Sequence, residues 1–151
     1  MNDPMLEVSG VVEAPLEDVA EMVLSVGPGR VGSDNAWLLG GGPYAAATLT
    51  GGPDRFIATA DGHSVTVEID RGSRTFALQG GWWYRGEYTL EPGSHGTRLT
   101  HRVYNVATRL RFGVPLANRF FVGFEESVRR GFEELLVRTG ERLGCTARLE
   151  R

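Results

Sequence analysis

The stretch from Pro115 to Leu143 constrains the fold more than any other part of the chain. Pro115 suits the opening of a helix, and no further proline interrupts before Leu143. Placed at about 100° per residue, Ala117, Phe120, Phe121, Phe124, Val128, Phe132, Leu135, Leu136 and Leu143 fall in one arc, with Arg119, Glu126, Arg130, Glu133 and Glu141 opposite. Glu125 with Arg129, Glu126 with Arg130 and Glu134 with Arg138 stand at the helix-stabilising i,i+4 spacing, each pair worth about 0.2–0.5 kcal/mol. Such a helix spans about 40 Å at ~1.5 Å per residue. An apolar stripe of that length needs a second layer equally long to cover it.

Strands supply that layer. From Tyr44 to Thr108 the chain reads as strands cut by turn signals at Gly51-Gly52-Pro53-Asp54, Asp61-Gly62, Arg71-Gly72-Ser73-Arg74 and Gly93-Ser94-His95-Gly96. Treating the last turn as a four-residue loop pairs Leu90 with Leu99, Tyr88 with His101, Gly86 with Val103 and Tyr84 with Asn105 on one face, and Glu87 with Arg102 on the other. The same treatment of Arg71 to Arg74 sets Ile69 against Phe76 and Val67 against Leu78, with Glu68 and Thr66 outward. Both hairpins describe a sheet with one wet face, where Glu87 and Arg102 form an ion pair, and one covered face. Upstream, Leu6, Val8, Gly10 and Val12 alternate as a half-buried strand. A helix from Pro15 to about Val26 follows, with Glu17 and Asp18 in its first turn. The glycine-rich stretch from Gly27 to Pro43 holds one apolar island, Ala36 to Leu39, and reads as a loop or a short second helix.

Composition narrows the function classes. At 151 residues the chain fits one domain, residues 1–151, with a core of its own. A formal charge of -3 gives no general attraction to nucleic acid or to an anionic membrane. No run of about 18 apolar residues occurs, so no stable membrane insertion is expected, and Met1 to Ser9 lacks the apolar core of a signal peptide, so a cytoplasmic location is expected. All sixteen basic side chains are arginine, which removes Schiff-base and P-loop lysine chemistry. Cys145 is the only cysteine and cannot form an internal disulfide.

Few residues stand out as chemistry. Gly27-Pro28-Gly29-Arg30-Val31-Gly32 matches GxGxxG, but these glycines follow a helix and lead into loop, whereas a dinucleotide fingerprint follows a strand and opens a helix. They read as a flexible connection, able to gate a pocket mouth. His63 and His95 sit at turns, and no histidine belongs to a compact ligand pair, so no metal and no cofactor are expected. His101 is different, because the register puts it on the covered face beside Tyr88. It reads as a core histidine, a polar contact to a ligand, or a general acid or base. Trp82, Tyr84, Tyr88 and Asn105 share that face, as packing or as ligand lining. Gly80, Gly86 and Gly131, on faces meant to pack, leave room between the layers. His101, Tyr88 and Glu125 are the candidates for catalytic work, with no catalytic set assigned.

The order of elements resembles the SRPBCC superfamily, the helix-grip group with START lipid-transfer domains, the birch-pollen-allergen family and polyketide cyclases. The likeness lies in Val11-Val12-Glu13-Ala14-Pro15-Leu16-Glu17-Asp18-Val19, in Gly96-Thr97-Arg98-Leu99-Thr100, and in the segment from Val114 to Leu143. It implies an α+β helix-grip fold: a seven-stranded curved antiparallel sheet around the long C-terminal helix, with one or two short helices after the first strand and a cavity for apolar molecules. The expected function is binding or transport of a small hydrophobic molecule, lipid-like or aromatic, by a monomer or homodimer. Trp82, Tyr84, Tyr88, Leu90, His101, Val103, Asn105, Phe124 and Val128 would line the cavity. The alternatives are an aromatase or cyclase of polyketides and a protein-interaction module of the same fold.

Overall fold

The computed structural model describes residues 3–81, 84–106 and 114–150, with side chains throughout except over 114–122. Strand β1 (Leu6–Val12) leads through Pro15 into helix α1 (Leu16–Val23). The extended Pro15 backbone sets the helix start, and Glu17 and Asp18 complement its positive end. The helix stops at Leu24, short of the expected Val26, and buries Val19 and Val23. Then come β2 (Gly29–Arg30), a 3-10 turn (Trp37–Leu39), β3 (Thr48–Gly51), β4 (Arg55–Ala60), β5 (His63–Asp70), β6 (Thr75–Gly80), β7 (Tyr84–Gly93), β8 (Gly96–Asn105), α2 (Val114–Leu143) and β9 (Ala147–Leu149). Among the described residues the sheet has nine antiparallel strands rather than seven, in the order β2-β3-β4-β5-β6-β7-β8-β1-β9. The two beyond seven are the short edge strands β2 and β9, too brief to carry a period-two signal. The GxGxxG stretch is partly strand β2, and the Asn35 side chain pins it by accepting from Gly27 N at 2.8 Å and donating to the Gly27 and Arg30 carbonyls at 3.0 Å. It is a tethered edge and opens no helix.

The core lies between the sheet and the helices. Phe56, Val67, Phe76, Leu90 and Leu99 from the strands meet Phe132, Leu135 and Leu136 from α2. Gly10 permits a close approach of the layers: a Cβ there would stand 2.5 Å from Leu136 Cδ1. The opposite sheet face is wet and ionic, though the bonds differ from the expected Glu87–Arg102 pair. Those residues are cross-strand neighbours, but Arg85 bonds Glu87 at 2.8 Å and Arg102 bonds Glu7 at 2.7 Å, because β1 brings a carboxylate to the far side of Arg102. On α2, Glu125 pairs with Arg129 at 3.5 Å as the spacing predicts. Arg138 instead lies over the Trp37 ring, 5.1 Å from its centre, while Trp37 Nε1 donates to Thr139 Oγ1 at 3.0 Å. These contacts fasten the apolar island after β2 to the C-terminal half of α2.

Candidate functional site

The covered face carries one row of rings across three strands. Phe76 on β6, Tyr88 on β7 and His101 on β8 are direct cross-strand partners. The Tyr88 and His101 rings are stacked with centres 4.0 Å apart and planes 11° apart, and Phe76 meets Tyr88 edge-on at 6.2 Å. Phe132 of α2 lies nearly parallel to His101, 6.2 Å away. His101 is thus held by the sheet on one side and the helix on the other.

Two contacts fix how the layers run past each other. Leu136 sits over Gly10, the partner of Leu99, and Phe132 faces His101. Between these two contacts, one turn toward the helix N-terminus corresponds to two residues along β8. Burial relaxes along this direction in both layers. In the helix it goes from Leu136 (0% exposed) and Phe132 (3%) to half-buried Val128 and Phe124, and in β7 from Leu90 (4%) to half-buried Tyr88 and Tyr84. In β8 Val103 stays fully buried and Asn105 is half-buried. Leu90 belongs to the packed core, Trp82 lies outside the described residues, and Glu125 is exposed and paired with Arg129.

The glycines read as leaving room do so only in part. A Cβ on Gly86 would lie 2.5 Å from the Tyr84 hydroxyl and 3.0 Å from His101 Cε1, so this notch is already filled by the two polar side chains. Gly80 is similarly occupied by Val65, while Gly131 is exposed with nothing near it. Gly86→Ala must therefore push Tyr84 out of place. The expected cost is about 1–3 kcal/mol with a changed near-ultraviolet tyrosine signal; denaturant unfolding and circular dichroism that match wild type would refute the assignment.

All three polar groups are uncharged at neutral pH. Burial holds the His101 pKa down at about 4, only partly offset by its bond to the Glu87 carbonyl, and burial pushes the Tyr84 and Tyr88 hydroxyls up. For Tyr88 the neighbouring Tyr84 adds to that rise. A carbonyl only accepts, so the 3.2 Å contact makes His101 Nδ1 the donor and leaves Nε2 as a bare acceptor. Neither Nε2 nor the Tyr88 hydroxyl bonds another described residue. This tautomer and the two unused polar atoms were invisible in the sequence, because the acceptor on Nδ1 is backbone from the paired strand. Among the described residues no group of three His, Cys, Asp or Glu side chains could hold a metal ion, and no helix is long and apolar enough to cross a membrane.

These features define an α+β protein in which a large antiparallel sheet packs on a long C-terminal helix, with a short helix after the first strand. One solved structure of similar architecture comes from a bacterial protein. The crystal structure of protein SSP2350 from Staphylococcus saprophyticus matches with a TM-score of 0.51 at 16% identity, over 86% of this chain and 88% of that one. Also similar are Bacillus halodurans protein BH1534 (TM-score 0.48, 14% identity, 89% and 93% covered) and Ara h 8.0201 (0.49, 13%, 92% and 98%). No protein-family model matches the sequence, and no curated protein matches it.

Proposed function

We propose that the chain binds a small hydrophobic molecule between the sheet and the N-terminal half of α2, as the resemblance to the SRPBCC superfamily implies. The observation that carries this reading is the shared direction in which burial relaxes, toward Tyr84, Tyr88 and Asn105 on the sheet and Phe124 and Val128 on the helix. Tyr88 keeps accessible surface, yet it is packed deeply enough for desolvation to raise its hydroxyl pKa. That combination fits a side chain bordering an enclosed recess better than one facing bulk water. Apolar burial there supplies roughly 25 cal/mol per Å².

Binding fits the site better than acid–base catalysis. A general base works best with a pKa near the operating pH, and the His101 imidazole is far too weakly basic for that. No described carboxylate shares its face: Glu7, Glu68 and Glu87 are bound to arginines on the other side. Among the described residues, the exposed large apolar side chains Ile57 and Val137 lie singly on different elements, so the described surface carries no contiguous apolar patch built from them.

Native mass spectrometry with a panel of neutral and acidic apolar compounds tests the proposal. A bound member at about ten times its Kd should stabilise the chain by roughly 1.4 kcal/mol, or about 3–6 °C in Tm. Absence of both adducts and shifts across the panel would overturn it.

A further inference from the structure

We propose that this recess selects neutral molecules bearing a hydroxyl group, which donates to His101 Nε2 and accepts from Tyr88, and that it rejects carboxylates of the same shape. The inference rests on the binding role just proposed and names the chemistry of the ligand. Its basis is a pair of atoms, on two stacked rings, that bond no other described residue. His101 Nε2 offers a lone pair because Nδ1–H is committed to the Glu87 carbonyl at 3.2 Å, and the Tyr88 hydroxyl offers a proton. The ring centres are 4.0 Å apart, so acceptor and donor belong to neighbouring rings of one stack. A hydroxyl is the smallest group that answers both at once.

Charge decides the rest. The arginines nearest in sequence to this row point to the other face, where Arg85 is bound to Glu68 and Glu87, Arg98 to Glu91 and Glu150, and Arg102 to Glu7. Arg138 is held over Trp37. A carboxylate laid against Tyr88 and His101 would leave water without a described cation to receive it, and would face the bare lone pair of Nε2. A cationic ligand would find no described carboxylate on this face either. Phe76 and Phe132 flank the stack from within the packed core and keep its surroundings apolar.

Three probes of one shape separate the possibilities: 2-naphthol, 2-methylnaphthalene and 2-naphthoate, titrated calorimetrically into the full chain at pH 7. The expected order is naphthol tightest, methylnaphthalene about 10-fold weaker and naphthoate weaker still. Tyr88→Phe, which keeps the ring and the stack, should weaken naphthol by about 5- to 10-fold and leave methylnaphthalene unchanged. Naphthoate binding as tightly as naphthol would overturn the inference and leave the binding role standing, as would equal affinities for naphthol and methylnaphthalene. If none of the three binds, the binding role falls and the inference with it. Should Tyr88→Phe fail to fold, the wild-type order alone decides.

Discussion

Phe132→Ala is expected to destabilise the protein by about 3–5 kcal/mol, the range for removing a large aromatic side chain from a packed core. The ring is 3% exposed and is the link between α2 and the buried histidine of β8. Leu135 and Leu136 hold the helix on either side of it, and with Leu136 lodged over Gly10 the backbone has little freedom to close the gap. Removing the ring also opens one side of His101 to water, so the histidine should become easier to protonate. Chemical denaturation measures the first effect, and the His101 proton chemical shift followed against pH measures the second. A loss under about 1 kcal/mol, with an unmoved histidine titration, would mean that α2 does not pack on the sheet through this residue.

The sheet's interior was readable from sequence because two local rules coincide there. In the hairpin of β7 and β8 the loop length and the alternation of apolar residues demand one register, and all four expected inward pairs, from Leu90 with Leu99 to Tyr84 with Asn105, are found. Ile69 with Phe76 and Val67 with Leu78 hold in β5 and β6 for the same reason. Helix α2 spans Val114–Leu143, as its stripe of apolar residues requires. What escaped has no local signature. Strand β9 pairs three residues of β1 after the helix, and Trp37 finds Thr139 and Arg138 only once the chain has folded. Gly86 was misread for a related reason. A missing side chain suggests space, but the neighbour two residues away on the same strand, Tyr84, folds its hydroxyl into it.

The candidate site was legible as a set of positions and not as chemistry. Periodicity puts Tyr84, Tyr88, His101 and Asn105 on one face, but whether an imidazole there is a base, a ligand contact or filler depends on its proton. That proton is decided by a backbone carbonyl of the adjacent strand and by desolvation from Tyr88 and Phe132. The result is a neutral acceptor, which favours recognition over proton transfer.

The same desolvation makes the fold sensitive to acid. In the unfolded chain His101 should titrate near 6.5, while in the folded chain burial holds it at about 4. Between these values the unfolded state binds a proton that the folded state refuses, so stability falls as pH drops from about 6.5 to about 4 and loses nothing further from this group below that. The full loss is roughly 3 kcal/mol. The groups facing the imidazole are the Tyr88 and Tyr84 hydroxyls, both neutral in this window, and the Phe132 ring; Glu7, Glu87 and Arg102 lie on the far side of the sheet. No described carboxylate is therefore placed to receive the imidazolium. Surface carboxylates titrate in part of the same range, which makes the informative quantity a difference: unfolding free energy of wild type less that of His101→Gln, measured from pH 7 to pH 4. The variant has no proton to refuse, so it should lose about 3 kcal/mol less over the interval. Parallel curves for the two proteins would mean that the folded state accommodates a charged His101, and the neutral acceptor on which ligand selection depends would no longer be available across this range.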